Sequence, residues 1–165
     1  MIISTKEIKK LLINILIPLV IGFLSSQIAM MISSIDTGTY YSQLIKPSFA
    51  PPSYIFPIVW SIIYVLMGIS AYLVMQKGNN TQKVKDAMFY YWLQLALNFI
   101  WSILFFGLDL RFTSMVVIIM MIIVVIIMIS KFYQIDKKAA YLNIPYLLWL
   151  VYAGILNYFI WIINK

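Results

Sequence analysis

The sequence has no cysteine and no histidine, and only five acidic residues against twelve lysines and arginines. Without cysteine there are no disulfides and no thiolate chemistry. Without histidine there is no imidazole base, and the two absences together remove the side chains behind nearly every transition-metal site. Charge of either sign is scarce, at 10% of the chain, whereas 64% is hydrophobic and the mean hydropathy is +0.96. Such a composition lies outside the range of soluble globular domains and reads as an integral membrane protein. The net charge of +7 raises nucleic acid as a partner. It is set aside because the cations stand at the ends of apolar runs instead of forming one patch, as membrane orientation requires.

What the chain does have is a series of apolar runs close to the ~20 residues that a helix needs to cross ~30 Å of hydrocarbon. The predicted fold class is all-α: one domain over residues 1–165, an integral membrane bundle of five transmembrane helices, with spans near 11–33, 53–75, 87–108, 112–131 and 139–163. The first run follows Lys6, Lys9 and Lys10 as a signal peptide would, but it continues to about Met31 without an A-x-A-like cleavage site and is predicted to be retained. No internal repeat stands out. On the N-terminal side of the predicted membrane lie Lys6, Lys9, Lys10, Lys77, Lys83, Lys85, Lys131, Lys137 and Lys138, nine in all, against three on the other side, Lys46, Arg111 and Lys165. This imbalance predicts the N-terminus inside, the C-terminus outside and the loop 34–52 outside.

That loop ends in KPSFAPPSY, Lys46 to Tyr54, which holds three of the six prolines. Each proline fixes its own φ and restrains the residue before it, so Lys46 to Pro52 is expected to be an extended, semi-rigid strap. Two readings stand: a helix stop and start, with Pro51 and Pro52 opening the second span, or a lid, since Phe49 and Tyr54 need somewhere to pack. Before the strap, Tyr40 to Ile45 is expected to form a short helical turn.

Polar and aromatic groups at depth narrow the function. Gln94, Asn98, Trp101 and Phe105 fall at i, i+4, i+7 and i+11, one stripe of the third span. Trp149, Ala153 and Asn157 repeat the pattern in the fifth span, and Trp60, Tyr64, Gly68 and Ala71 share a face of the second. Amides in hydrocarbon must meet another helix or a ligand, so Asn98 and Asn157 read either as interhelical hydrogen bonds or as ligand contacts. Trp92 and Trp161 sit near span ends, as belt residues do, while Trp60, Trp101 and Trp149 lie roughly 10–20 Å from the outer edge. The fourth span, Met115 to Ile129, is nearly pure Val, Ile and Met and is expected to face lipid. No carboxylate is predicted deep in a span, which counts against a proton-coupled transporter and leaves a small-molecule transporter as a further, disfavoured alternative. The remaining picture is a cavity of aromatic rings and a few amides, open outward beneath the strap and suited to a flat apolar ligand. Gly22 with Ser26, and Ser25 with Ala29, give the first span small-xxx-small spacing, a candidate dimer interface.

Three strings carry a resemblance: KPSFAPPSYIFPIVWSIIYVLMG (Lys46 to Gly68), QLALNFIWSILFFG (Gln94 to Gly107) and PYLLWLVYAGILNYFIWIIN (Pro145 to Asn164). With them the chain resembles the translocator protein family, TspO/MBR, also called tryptophan-rich sensory proteins or peripheral-type benzodiazepine receptors. The resemblance implies a five-helix membrane bundle, usually homodimeric, that binds porphyrins such as protoporphyrin IX, isoquinoline carboxamide and benzodiazepine drugs and, in animal mitochondria, cholesterol. Some bacterial members are reported to promote light-dependent breakdown of protoporphyrin. Matched by motif, Trp60, Asn98 and Trp149 are expected to line the ligand pocket, with Tyr41, Pro51, Trp101 and Ala153 in or beside it. If degradation holds, Trp60 and Trp149 are its catalytic pair. The expected partners are a porphyrin or drug-like apolar ligand, membrane lipid and a second copy of the chain, with no cofactor and no metal. Lacking His and Cys, the protein is expected to favour metal-free porphyrin over haem.

Two departures matter. Phe49 stands where the family often has tryptophan, and six residues separate Tyr158 from Lys165, one more than the weak sterol pattern allows. Leu66, Tyr72 and Lys77 do satisfy that pattern, but sterol transport has little other support. The absence of a transit peptide and the Ile, Lys and Asn usage point to a bacterial plasma membrane.

Overall fold

The computed structural model describes residues 5–78 and 81–165. Its helices are α1 (Thr5–Ser33), α2 (Thr37–Gln43), α3 (Ile55–Gln76), α4 (Gln82–Ser102), α5 (Arg111–Tyr133), α6 (Lys137–Tyr141) and α7 (Ile144–Ile163), and α4 runs on into a π-helical turn at Ile103–Gly107. Five segments are long and apolar enough to cross a membrane: α1, α3, α4 with its π turn, α5, and α6 with α7. The protein is an all-α, multi-pass bundle.

Local chemistry explains the element ends. α1 carries Lys6, Lys9 and Lys10 on its first turns, because a helix does not stop where the hydrocarbon does. α2 lies three residues before the expected turn, since Asp36 takes the N-cap and accepts from the Thr39 backbone N–H at 2.9 Å. Hydrogen bonds from Thr39 hold the Asp36 carboxyl below its usual pKa. Thr81 caps α4 in the same way, through Val84 N at 3.4 Å. The fifth crossing is broken: Asp136 caps α6 through Ala139 N at 3.1 Å, the chain turns at Leu142–Asn143, and Pro145 sits in the first turn of α7. The reversal from the π turn into α5 is made by Asp109 at φ 56°, a left-handed conformation that aspartate tolerates.

In lipid there is no hydrophobic force between apolar helices, so close packing and hydrogen bonds must hold the bundle. At Gly68 an added Cβ would lie 2.4 Å from the Ile15 Cα, so α1 and α3 touch backbone to backbone there. At Gly107 it would lie 3.2 Å from the Ala29 Cα, which seats the π turn on α1. At the N-terminal end Glu7 ties α1 to α3: it accepts from the Tyr72 hydroxyl at 3.0 Å and from the Gln76 amide, and it pairs with Lys10 at 2.9 Å.

Two expectations are corrected. Ser25 and Ala29 are buried within the bundle, Gly22 lies against the Tyr64 ring and Ser26 faces a cavity, so the small residues of α1 serve contacts inside one protomer and do not form an outward dimer face. α5 does not face lipid all round: Ser114, Ile118, Met121, Val125, Met128 and Phe132 are buried along one stripe against α4 and α7. The other face of α5, with Val116, Ile119, Met120 and Ile123, is exposed as expected.

Candidate functional site

A cavity of about 550 Å³ lies between α1, α3 and α4 beneath α2. Trp60 and Tyr64, one turn apart on α3, stack in its wall with centroids 5.4 Å apart and planes at 29°. Trp101 of α4 stands 6.5 Å from Trp60 and is itself stacked on Phe105, 5.4 Å away at 17°. The π turn adds a residue to the helical repeat, closing on Leu108 N to Ile103 O at 2.9 Å. As a result, consecutive residues Phe105 and Phe106 both meet Trp101, and Phe106 reaches the cavity wall.

The two deep asparagines part company. Asn157 is fully engaged: its Oδ1 accepts from Trp101 Nε1 at 3.2 Å and from Ser114 Oγ at 3.0 Å, and its Nδ2 donates to the Arg111 carbonyl at 3.0 Å. It bonds three structural partners and ties α4, α5 and α7 together. Asn98, 2% exposed, accepts from the Tyr64 hydroxyl at 2.9 Å, but its Nδ2 has no hydrogen-bond partner among the described residues and the residue lines the cavity. A buried donor without a partner costs roughly 1–3 kcal/mol, and Nδ2 is enclosed by protein, so a ligand acceptor reaches it only if the wall shifts. Gln94, deeper on the same stripe, accepts from Tyr146 Oη at 2.8 Å and is wholly buried.

The cover of this space is α2, through Thr37, Gly38 and Tyr41, with Ser53 and Tyr54, and the strap fastens that cover to α7 and the chain end without lining the cavity itself. Lys46 Nζ donates to the carbonyls of Tyr41, Ser42 and Leu44 at 2.9–3.0 Å, closing the C-terminal turn of α2. Tyr41 Oη donates to the Pro51 carbonyl at 3.0 Å and Tyr152 Oη to the Phe49 carbonyl at 3.1 Å, while the Phe49 ring lies edge-on to Phe159 at 5.5 Å. Asn164, the penultimate residue, clasps the Ile45 backbone in both directions, accepting from N at 3.0 Å and donating to O at 2.8 Å. Arg111 braces that clasp through Asn164 O at 2.8 Å and pairs with Asp109 at 2.7 Å, and Asp109 in turn accepts from Tyr40 Oη. Burial, followed by the Asp109 carboxylate, pushes the Tyr40 phenol up to about 12; burial does the same to Tyr41. Pro51 and Pro52 precede α3, which starts at Ile55, and the strap bends once at Pro47–Ala50.

Residues 14–162 match the model of the TspO/MBR family. The chain belongs to the TspO/MBR family. It is 39% identical to the tryptophan-rich protein TspO of Archaeoglobus fulgidus over 96% of this chain and 99% of that protein. The human translocator protein is 35% identical over 74% of this chain and 73% of its own length, and protein CrtK of Rhodobacter capsulatus 32% over 77% and 79%.

In this TspO/MBR chain, Trp60, Asn98, Trp101 and Tyr41 share the cavity wall. Pro51 lies outside it and acts through its carbonyl on Tyr41. Ala153 lines a small adjoining hollow with Asn157 and Trp101. Trp149 stands outside the cavity, 5.8 Å from Phe56 and 5.4 Å from Tyr152, and its buried Nε1 has no partner among the described residues. Phe56 lines the cavity and is the ring through which Trp149 touches it. Sequence reasoning did not single out Phe56, Leu19 or Phe23, and it assigned Gly22 and Ser26 of the α1 wall to a dimer face. The stripes carried the signal for α3 and α4; α1 offered only small residues, which read equally well as a dimer face.

Proposed function

We propose that the protein is a membrane receptor for porphyrins and related flat apolar ligands, held between α1, α3 and α4 beneath the first loop, 34–52, whose helix α2 covers the cavity. The observation that carries this reading is the group of rings Trp60, Tyr64 and Trp101 gathered in one cavity wall beside Asn98, whose buried Nδ2 makes no hydrogen bond among the described residues. A volume of about 550 Å³ lies within the ~300–1,000 Å³ of small-molecule sites. Indole and phenol rings provide a face for stacking on a macrocycle, and one amide donor suits an acceptor at the ligand's edge. The membrane is proposed to be a bacterial plasma membrane, and the receptor a homodimer. Trp60 and Trp149 stand in different surroundings, so photo-oxidation by that pair finds less support than binding.

Titration of the purified protein with protoporphyrin IX tests the reading by quenching of tryptophan fluorescence. Saturable quenching is expected, with Trp60→Leu weakening the affinity about tenfold through loss of stacking. Unchanged affinity in that variant contradicts the pocket. Illumination of the complex is expected to bleach the porphyrin no faster than in free detergent solution.

A further inference from the structure

α1 and α3 touch at one level and both line the cavity beyond it. At Gly68 their backbones touch, 2.4 Å from an added Cβ to the Ile15 Cα and 2.5 Å to the Asn14 carbonyl. Pro18 lies just above that contact inside α1 and lacks the N–H that would bond the Asn14 carbonyl four residues back, so the helix is free to bend there. One turn higher, Gly22 meets only the tip of the Tyr64 side chain. Higher still, Phe23 and Ser26 of α1 and Pro57 and Ser61 of α3 all line the cavity, and Phe23 is 63% exposed. Pro57 and Ser61 are exposed as well. At 1.5 Å per residue, Ser61 lies about 9 Å and Phe23 about 15 Å from the strap end of their helices, a depth that falls within a ~30 Å hydrocarbon layer. The rim is compatible with lipid, since Ser61 Oγ donates to the Pro57 carbonyl at 2.7 Å. The cover, α2, is by contrast held by Tyr41 on the Pro51 carbonyl, by Tyr40 on Asp109 and by Lys46 on its last carbonyls, and the strap beyond it by Tyr152 and Asn164.

From this we infer that the cavity loads sideways: ligand passes from the acyl chains through the slot between α1 and α3, past Phe23 and Ser61, and does not come from water over the strap. The inference rests on the receptor reading and adds to it the class of ligand, a compound dissolved in the bilayer, and the phase that supplies it. A slot of this kind admits a flat molecule edge-on, apolar face against Phe23, while the roof stays fastened. Its polar edge then leads toward Asn98.

Because the chain has no cysteine, Ser61→Cys gives a single thiol. In proteoliposomes this thiol is expected to react with lipid-soluble pyrene maleimide and not with a charged, membrane-impermeant methanethiosulfonate. Transfer of protoporphyrin IX from donor vesicles, followed by stopped flow, is expected to slow at least tenfold after labelling, compared with the same folded protein before labelling. Asn164→Ala, which releases the Ile45 clasp, is expected to change the transfer rate less than twofold. Reaction with the charged reagent alone, or transfer that is insensitive to the label but accelerated by Asn164→Ala, overturns the sideways route. Failure of the receptor reading shows separately, as absence of saturable quenching in the unmodified protein, while the thiol reactivity still reports whether the slot opens to lipid.

Discussion

At the residue scale, two asparagines of similar burial do opposite jobs, and only their partners tell them apart. Asn157 satisfies Trp101, Ser114 and the Arg111 carbonyl at once, whereas Asn98 keeps an unpaired, enclosed donor in the wall beside the cavity. Asn157→Leu is therefore expected to lower thermal stability in detergent by about 1–3 kcal/mol, the cost of leaving buried polar groups unpaired. Asn98→Leu is expected to cost less stability, since one donor was already unpaired, and to weaken protoporphyrin binding several-fold. Parallel melting and quenching curves for the two variants check both halves of this contrast. Gly68 shows how little room the α1–α3 contact leaves. Gly68→Val is expected to destabilise by about 1–3 kcal/mol through overpacking, because the atoms that a new side chain would meet are backbone and cannot turn away.

At the scale of elements, the strap answers the question that its prolines raise. Three prolines limit what the segment can do when free, and five side chains from α2, α7, the chain end and the strap itself fix it when folded. Tyr40 gives this roof a pH dependence. Its folded pKa of about 12 lies above the ordinary 10.0, so the fold favours the neutral phenol. The stability it contributes is complete below pH 10 and is lost as the pH rises from 10 toward 12. The stability difference between the wild type and Tyr40→Phe is expected to be flat at lower pH and to shrink over that window, as measured by denaturation at each pH. Much of this scale was legible in the sequence. The five crossings follow from apolar run length, and the α4 stripe Gln94, Asn98, Trp101, Phe105 is buried along one side. The break between α6 and α7 and the π turn were not legible, since both arise from backbone hydrogen bonding within continuous apolar runs. Nor was the role of α1 in the cavity wall, because Gly, Ser and Ala fit a partner helix, a second protomer or a hollow equally well by spacing alone.

At the scale of the whole molecule, the bundle has one end held by carboxylate ties through Glu7 and Asp136 and another roofed by α2 and the strap, with the cavity displaced toward the roof. The nine-to-three distribution of cations predicts that the strap end faces outside. Lys165→Cys is expected to be labelled by an impermeant maleimide in intact cells, and Lys83→Cys only after permeabilisation; the reverse pattern would invert the topology. The central claim is that porphyrin sits between α1, α3 and α4, stacked on Trp60 and within reach of Asn98. A structure of the protein determined with protoporphyrin IX bound tests this most directly. The account predicts macrocycle density against Trp60, with an acceptor atom within hydrogen-bond distance of Asn98 Nδ2. Density confined to the outer surface of the bundle, with the cavity between α1, α3 and α4 empty, would contradict it.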